Sequence, residues 1–316
     1  MTQNIEERAK INTFRSVSAM IAIGVINIIT IPLISKLGNG SDQQGYLLVA
    51  ILYGIIFALC HIFCFAKTKE AVTVPEKKKI PIKLQIKTVA QNKPYLLALI
   101  GQFLFGVTLY GRNADALYYF KYVEGSETLF TTYSLVIIIP SIIGAGLFQI
   151  LFKLTENKGR TASILAFCTG VSMLSLYLFS PVESAVAFYI FSGLTQFFFA
   201  GFNTAIYAII PDCVEYGEWK TGKRSEGMIF SINIFKSKIA SAIGGSVCGY
   251  ILAYIGYNAN SSQSTFTLNG IHLIQSIIPC IFVVISFLLL RRYNLSEAEY
   301  DAIVDDLKNG VTRISQ

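Results

Sequence analysis

The chain has 316 residues, a formal net charge of +7, and only 14% charged residues against 53% apolar ones. Soluble domains carry about 25% charged residues, so this composition excludes a disordered chain and argues against an ordinary soluble enzyme. Long apolar runs account for the deficit, and the predicted class is an all-α polytopic membrane protein.

A bilayer core roughly 30 Å thick needs about 20 apolar residues in a helix. Runs at 13–36, 45–66, 95–119, 129–152, 161–180, 185–210, 227–257 and 270–290 meet that length, so eight spans are predicted. Each must be helical, because hydrocarbon offers a free backbone N–H or C=O no water. The first run is too long for a signal peptide, and no small-residue cleavage site follows Leu37. Arg15, near its start, is either an arginine snorkelling to the rim or a contact to cargo.

Between the second and third runs lies a basic segment, 67–94. Lys67 to Lys79, with Pro75, reads as a linker; Pro81 to Lys87 reads as an amphipathic helix on the inner leaflet or as a solvated loop. On the third run Arg112 and Asp115 stand one helical turn apart and can pair on one face. They are either a structural ion pair or a contact to cargo. On the seventh run Lys236 and Lys238 are two apart, point in different directions, and sit too deep to reach water easily. At most one of them needs to face a central cavity. Ser296-Glu297-Ala298-Glu299 supplies an N-cap and an acidic first turn, so a short soluble helix is predicted there, closing at Gly310.

Most of the 26 Lys and Arg residues fall in segments that share one side, while the opposite loops hold only Lys36 and Lys121. The positive-inside rule then places both termini in the cytoplasm of a cell-membrane protein. Its surroundings are lipid, and nothing indicates nucleic acid. Cys60, Cys64, Cys168, Cys213, Cys248 and Cys280 lie in or beside apolar runs, which implies no disulfide framework. Cys60-His61-x-x-Cys64 resembles a metal site but lacks the four ligands of a closed one. No metal or cofactor is expected, and no nucleophile motif argues for an enzyme.

The densest polar stretch runs from Pro211 to Gly227 and is read as a connection between the sixth and seventh spans. Its acidic residues precede its basic ones, so ion pairs can form within it or across the cytoplasmic face. Exposed pairs are individually weak, about 0–1 kcal/mol. As a network they could work as a latch, the gate residues being Asp212, Glu215, Tyr216, Glu218, Lys220, Lys223 and Arg224.

This stretch, continuing through Phe230-Ser231 and Lys238 to Gly256-Tyr257, resembles the signature of the glycoside–pentoside–hexuronide cation symporters, relatives of melibiose permease in the major facilitator superfamily. Glu7-Arg8 to Arg15, Pro32-Leu33 and Tyr118-Tyr119-Phe120-Lys121-Tyr122-Val123 add support along the chain. The resemblance implies a sugar:cation symporter working by alternating access. Arg15, Asn203, Asn233 and Lys238 match substrate-site positions, and Lys238 also matches the lysine beside the coupling cation, Na+ or H+. Asn203 stands where melibiose permease has a tryptophan that stacks on the sugar. Arg112 and Asp115 have no charged counterpart there.

Family members have twelve spans, so the resemblance implies an N-terminally truncated fold in which residues 1–66 supply the last two helices of the first bundle. Residues 67–94 are then the linker, 95–292 the complete second bundle, and 293–316 a cytoplasmic tail. A separate fragment carrying the first four helices is one expected partner. The alternatives are a non-transporting remnant and a carrier of a non-sugar solute.

Overall fold

Helix is the only secondary structure among the residues that the computed structural model describes, 5–68, 81–180 and 184–313. A backbone out of reach of water can bond only to itself, and a helix does so within one segment. The chain divides into two compact units, Met1–Lys79 and Ile80–Gln316.

The first unit is a hairpin of α1 (Ile5–Gly38) and α2 (Asp42–Lys67). Asn39 and Gly40, with φ of 43° and 91°, turn the chain between them. The helices touch through Gly38, Ile34 and Gly45, and the Thr30 and Tyr53 hydroxyls meet at 2.9 Å. Leu47, Ile51, Ile55 and Phe63 of α2 are exposed, the surface a helix shows to hydrocarbon.

The second unit contains α3 (Ile82–Ala90), α4 (Lys93–Tyr118), which runs into a π turn at Tyr119–Val123, α5 (Glu127–Val136) and α6 (Ile138–Thr155). It continues with α7 (Lys158–Phe179), α8 (Ala185–Thr221), α9 (Glu226–Tyr254), α10 (Thr265–Gln275), α11 (Ile277–Leu290) and α12 (Glu297–Lys308). Of the two readings of 81–87, the helix is the one formed. The predicted cap at Ser296 is a complete capping box with Glu299.

Three predicted elements need correction. The runs at 129–152 and 270–290 stand as spans, Leu129–Thr155 and Thr265–Leu290, but each is interrupted at one residue, Ile137 and Ser276. Pro140 and Pro279 follow each break by three residues, inside the first turn, where a missing N–H is tolerated. The third correction is larger. The stretch after Pro211, read as a connection, is helical through Thr221. At 37 residues, α8 is about 55 Å long against a hydrocarbon core of roughly 30 Å. It is therefore longer than the hydrocarbon core is thick, and its last turns carry the signature residues on a rigid stem.

Six helical segments among the described residues are long and apolar enough to cross a membrane, which makes this a multi-pass membrane protein. The 29-residue α9, which carries Lys236 and Lys238, is not one of those six. It packs on α4 nonetheless. From there α4 leans on α11, α11 on α7, α7 on α8 and α8 on α6. Phe105 of α4 stacks on Phe202 of α8 with ring centroids 3.7 Å apart, in the middle of the core.

Small residues let the helices approach this closely. A Cβ on Gly244 of α9 would lie 2.8 Å from the Gly111 nitrogen and Val107 oxygen of α4. Backbone cannot move aside as a flexible side chain can. Gly244→Val is therefore expected to destabilise the bundle by about 1–3 kcal/mol, read as a lower unfolding temperature, while Val at Gly245, where a Cβ meets nothing within 4 Å, leaves it unchanged.

Candidate functional site

The α9 helix separates its two lysines. Ile229, Asn233, Lys236, Ala240, Gly244 and Cys248 form a buried stripe at spacings of three and four residues. Lys236 is 7% exposed, and its Nζ donates to Asn233 Oδ1 at 2.9 Å. Lys238 is exposed, as are Ser231, Ser241 and Ala242. Two positions are about 200° apart around a helix, so the packing that buries Lys236 turns Lys238 outward. Among the sugar-site candidates, the structure thus binds Asn233 to Lys236, a residue not assigned to the site. It leaves Asn203 of α8 exposed, as it leaves Lys238. Arg15 belongs to α1, and its side chain lies outside the described residues.

The signature residues bond mainly to elements outside the signature. Asp212, 5% exposed, accepts from Lys158 Nζ of α7 at 2.7 Å. The same ammonium lies 3.5 Å from Glu297 of α12 and 4.8 Å above the Tyr300 ring. Tyr300 donates to Glu215, and burial together with that carboxylate holds the Tyr300 hydroxyl above the usual tyrosine range. Trp219 Nε1 donates to Asp306 at 2.9 Å, and the Arg313 N–H donates to the Trp219 carbonyl at 2.9 Å. The tail helix is thus fastened over the stem of α8.

Within the stretch itself, Arg224 pairs with Glu218 at 2.7 Å and with Glu226 at 3.1 Å. Lys220 donates to the Gln91 carbonyl at 3.0 Å and lies over the Tyr216 ring. Lys223 is half-buried. Sequence reasoning missed Lys158, Tyr300 and Asp306 as partners. Only the position of Lys158 at the start of a helix hinted at a role.

A third polar group lies toward the other end of the bundle. Arg112 and Asp115 share a face of α4, but they do not form the anticipated ion pair: no N–O approach between them falls within 4.0 Å. Arg112 Nε donates instead to Gln275 Oε1 at 3.3 Å and Nη2 to Ser192 Oγ at 3.4 Å. Gln275 Nε2 donates back to the Arg112 carbonyl at 2.9 Å. Asp115 is fully buried.

The MFS/sugar transport protein family matches residues 1–297. The uncharacterized symporter YjmB of Bacillus subtilis (strain 168) is 30% identical over 315 residues, covering 97% of this chain and 66% of its own. The isoprimeverose transporter of Lactiplantibacillus pentosus is 30% identical over 312 residues, 96% of this chain and 64% of its own. The glucuronide carrier protein homolog of Escherichia coli (strain K12) is 26% identical over 321 residues, 98% and 67%. The chain thus spans about two thirds of the length of the curated relatives it matches.

Proposed function

Because the chain belongs to the MFS/sugar transport protein family, we propose that it serves sugar:cation symport, secondary active transport by alternating access, and catalyses no covalent reaction. The substrate class is a small sugar or glycoside, as the names of the isoprimeverose and glucuronide relatives suggest. The coupling ion is Na+ or H+, in keeping with a relative described as a putative glycoside/cation symporter.

The observation that carries this reading is Lys238, a cation on an exposed face of a helix packed into a membrane bundle. An ammonium facing hydrocarbon costs about 2.5–3.5 kcal/mol even on lenient scales, so such residues line polar paths. Lys238 is assigned to the substrate and cation path together with Arg15, Asn203 and Asn233. In alternating access, two bundles rock about a site near the midplane. The network around Asp212 and Lys158 is assigned to the cytoplasmic gate, where making and breaking ion pairs would bias which side is closed.

Uptake of labelled glycoside into proteoliposomes under an imposed Na+ or proton gradient tests the proposal. The chain is assayed alone and together with a fragment carrying the family's first four helices. Cation-stimulated uptake is expected in the second preparation. A folded, co-assembled preparation that takes up no glycoside of any size tried, under either gradient, would refute the reading.

Topology gives a separate prediction, in which eight spans leave both termini inside. Single cysteines at Asn39 and Ser262, both exposed, are expected to react with an impermeant reagent in intact cells. A cysteine at Gly227, also exposed, is expected to react only after permeabilisation. Ser225 is unsuitable as the inner reporter because it is buried. Labelling of Gly227→Cys from outside would reverse the orientation.

A further inference from the structure

We propose that Asp115 is a proton-binding site within the second bundle, uncharged in this conformation, and that it ionises when Arg112 leaves its present partners for the carboxylate. Asp115 is 0% exposed, and by distance and angle neither carboxylate oxygen is hydrogen-bonded to a described residue; the Gln275 amide and the Arg112 guanidinium are the neighbours that act on it. An ionised carboxylate placed so would carry a penalty of several kcal/mol. The neutral acid avoids most of it. A metal cation would need several oxygen ligands around it, and the nearby guanidinium of Arg112 opposes one electrostatically. A proton needs neither a shell of ligands nor a cavity.

Arg112 is the counter-charge held in reserve. It is 8% exposed and is retained by neutral acceptors at 3.3 Å and 3.4 Å, both beyond the usual length of such bonds. A guanidinium bond to a carboxylate is roughly twice as strong as a neutral one. Exchange of Gln275 and Ser192 for Asp115 is therefore favourable once the proton has left. Protonation adds one proton from water to a carboxylate oxygen; release returns it and leaves an anion that Arg112 neutralises. A cavity of about 20 Å³ beside Arg112, lined by Thr108, Gly244 and Cys248 among others, is just large enough for one water.

The other titratable groups around this centre come from each element packed on it. Tyr119 of the π turn, next to Glu124, and Cys248 of α9 lie within electrostatic reach of Asp115. Tyr133 of α5 acts on Arg112. His272 of α10 lies with its ring 5.9 Å from those of Tyr119 and of Tyr177 of α7. None of these closes on either Asp115 oxygen with a hydrogen bond. Glu124 and His272 also carry buried, unpartnered atoms in this region; among the described residues Asp115 is the fully buried carboxylate one helical turn from Arg112.

Infrared spectroscopy of the 316-residue chain in lipid bilayers, without any sugar, tests this directly. Failure here would thus leave the transport reading standing. At pH about 7, roughly three units above the ordinary aspartate value, the native chain is expected to show the carbonyl stretch of a protonated carboxylic acid, and Asp115→Asn to lose the larger part of it. A native spectrum without that band, or one unchanged in Asp115→Asn, overturns the site. Should Asp115→Asn fail to fold, isotopically labelled aspartate is compared in the native chain and in Asp115→Glu, where the labelled band must fall to the small remainder left by Asp212, whose carboxyl is pushed up by burial to about 6. Arg112→Gln is expected to raise, by at least about one pH unit, the pH at which the band disappears. An equal or lower pH refutes the part given to Arg112.

Discussion

Replacing Lys158 by alanine is expected to lower the stability of the second unit by about 3 kcal/mol, the low end of the range for breaking a buried ion pair. The substitution leaves Asp212 5% exposed without the ammonium that now sits 2.7 Å away. It also removes the cation shared with Glu297 and the Tyr300 ring. For a unit of this size, such a loss lowers the unfolding temperature by roughly 6–12 °C. The double variant Lys158→Ala with Asp212→Asn is expected to regain part of that, because the amide carries no charge to leave unpaired. Coupling between the two sites of about 0.5–3 kcal/mol is the signature of direct interaction. Strict additivity of the single variants would show that the pair contributes nothing to the fastening of α7 on α8.

The second large effect concerns the two lysines of α9. In a transport-competent assembly, Lys238→Gln is expected to reduce cation-driven uptake by about a hundredfold, a loss of roughly 2.8 kcal/mol. Lys236→Gln is expected to act on stability more than on transport, since Lys236 is buried and bound to Asn233. Unfolding temperature and initial uptake rate, measured on both variants, separate the roles. If Lys236→Gln stopped transport in a stable protein and Lys238→Gln did not, the path would lie on the α4 side of α9.

The sequence by itself determined the class of the molecule, the places of six of its apolar spans, and the capped helix at Ser296. These features are local: an apolar run long enough for the bilayer must be helical wherever it packs, and Ser296 caps with Glu299 three residues away. The family was also legible, through the Asp212–Gly227 signature. Only the tertiary structure decided that α8 continues past Pro211, because helical propensity around one proline is balanced until neighbours pack on it. Only packing on α4 decided which of Lys236 and Lys238 is buried, since a helix apolar on most of its surface does not state which face turns inward. Partner choice was likewise beyond the sequence. Asp212 binds a lysine 54 positions away, and Arg112 takes Gln275 and Ser192, 163 and 80 positions away, over a carboxylate one turn along its own helix. A charged side chain bonds to whatever the assembled bundle places at its tip, and chain distance does not encode that.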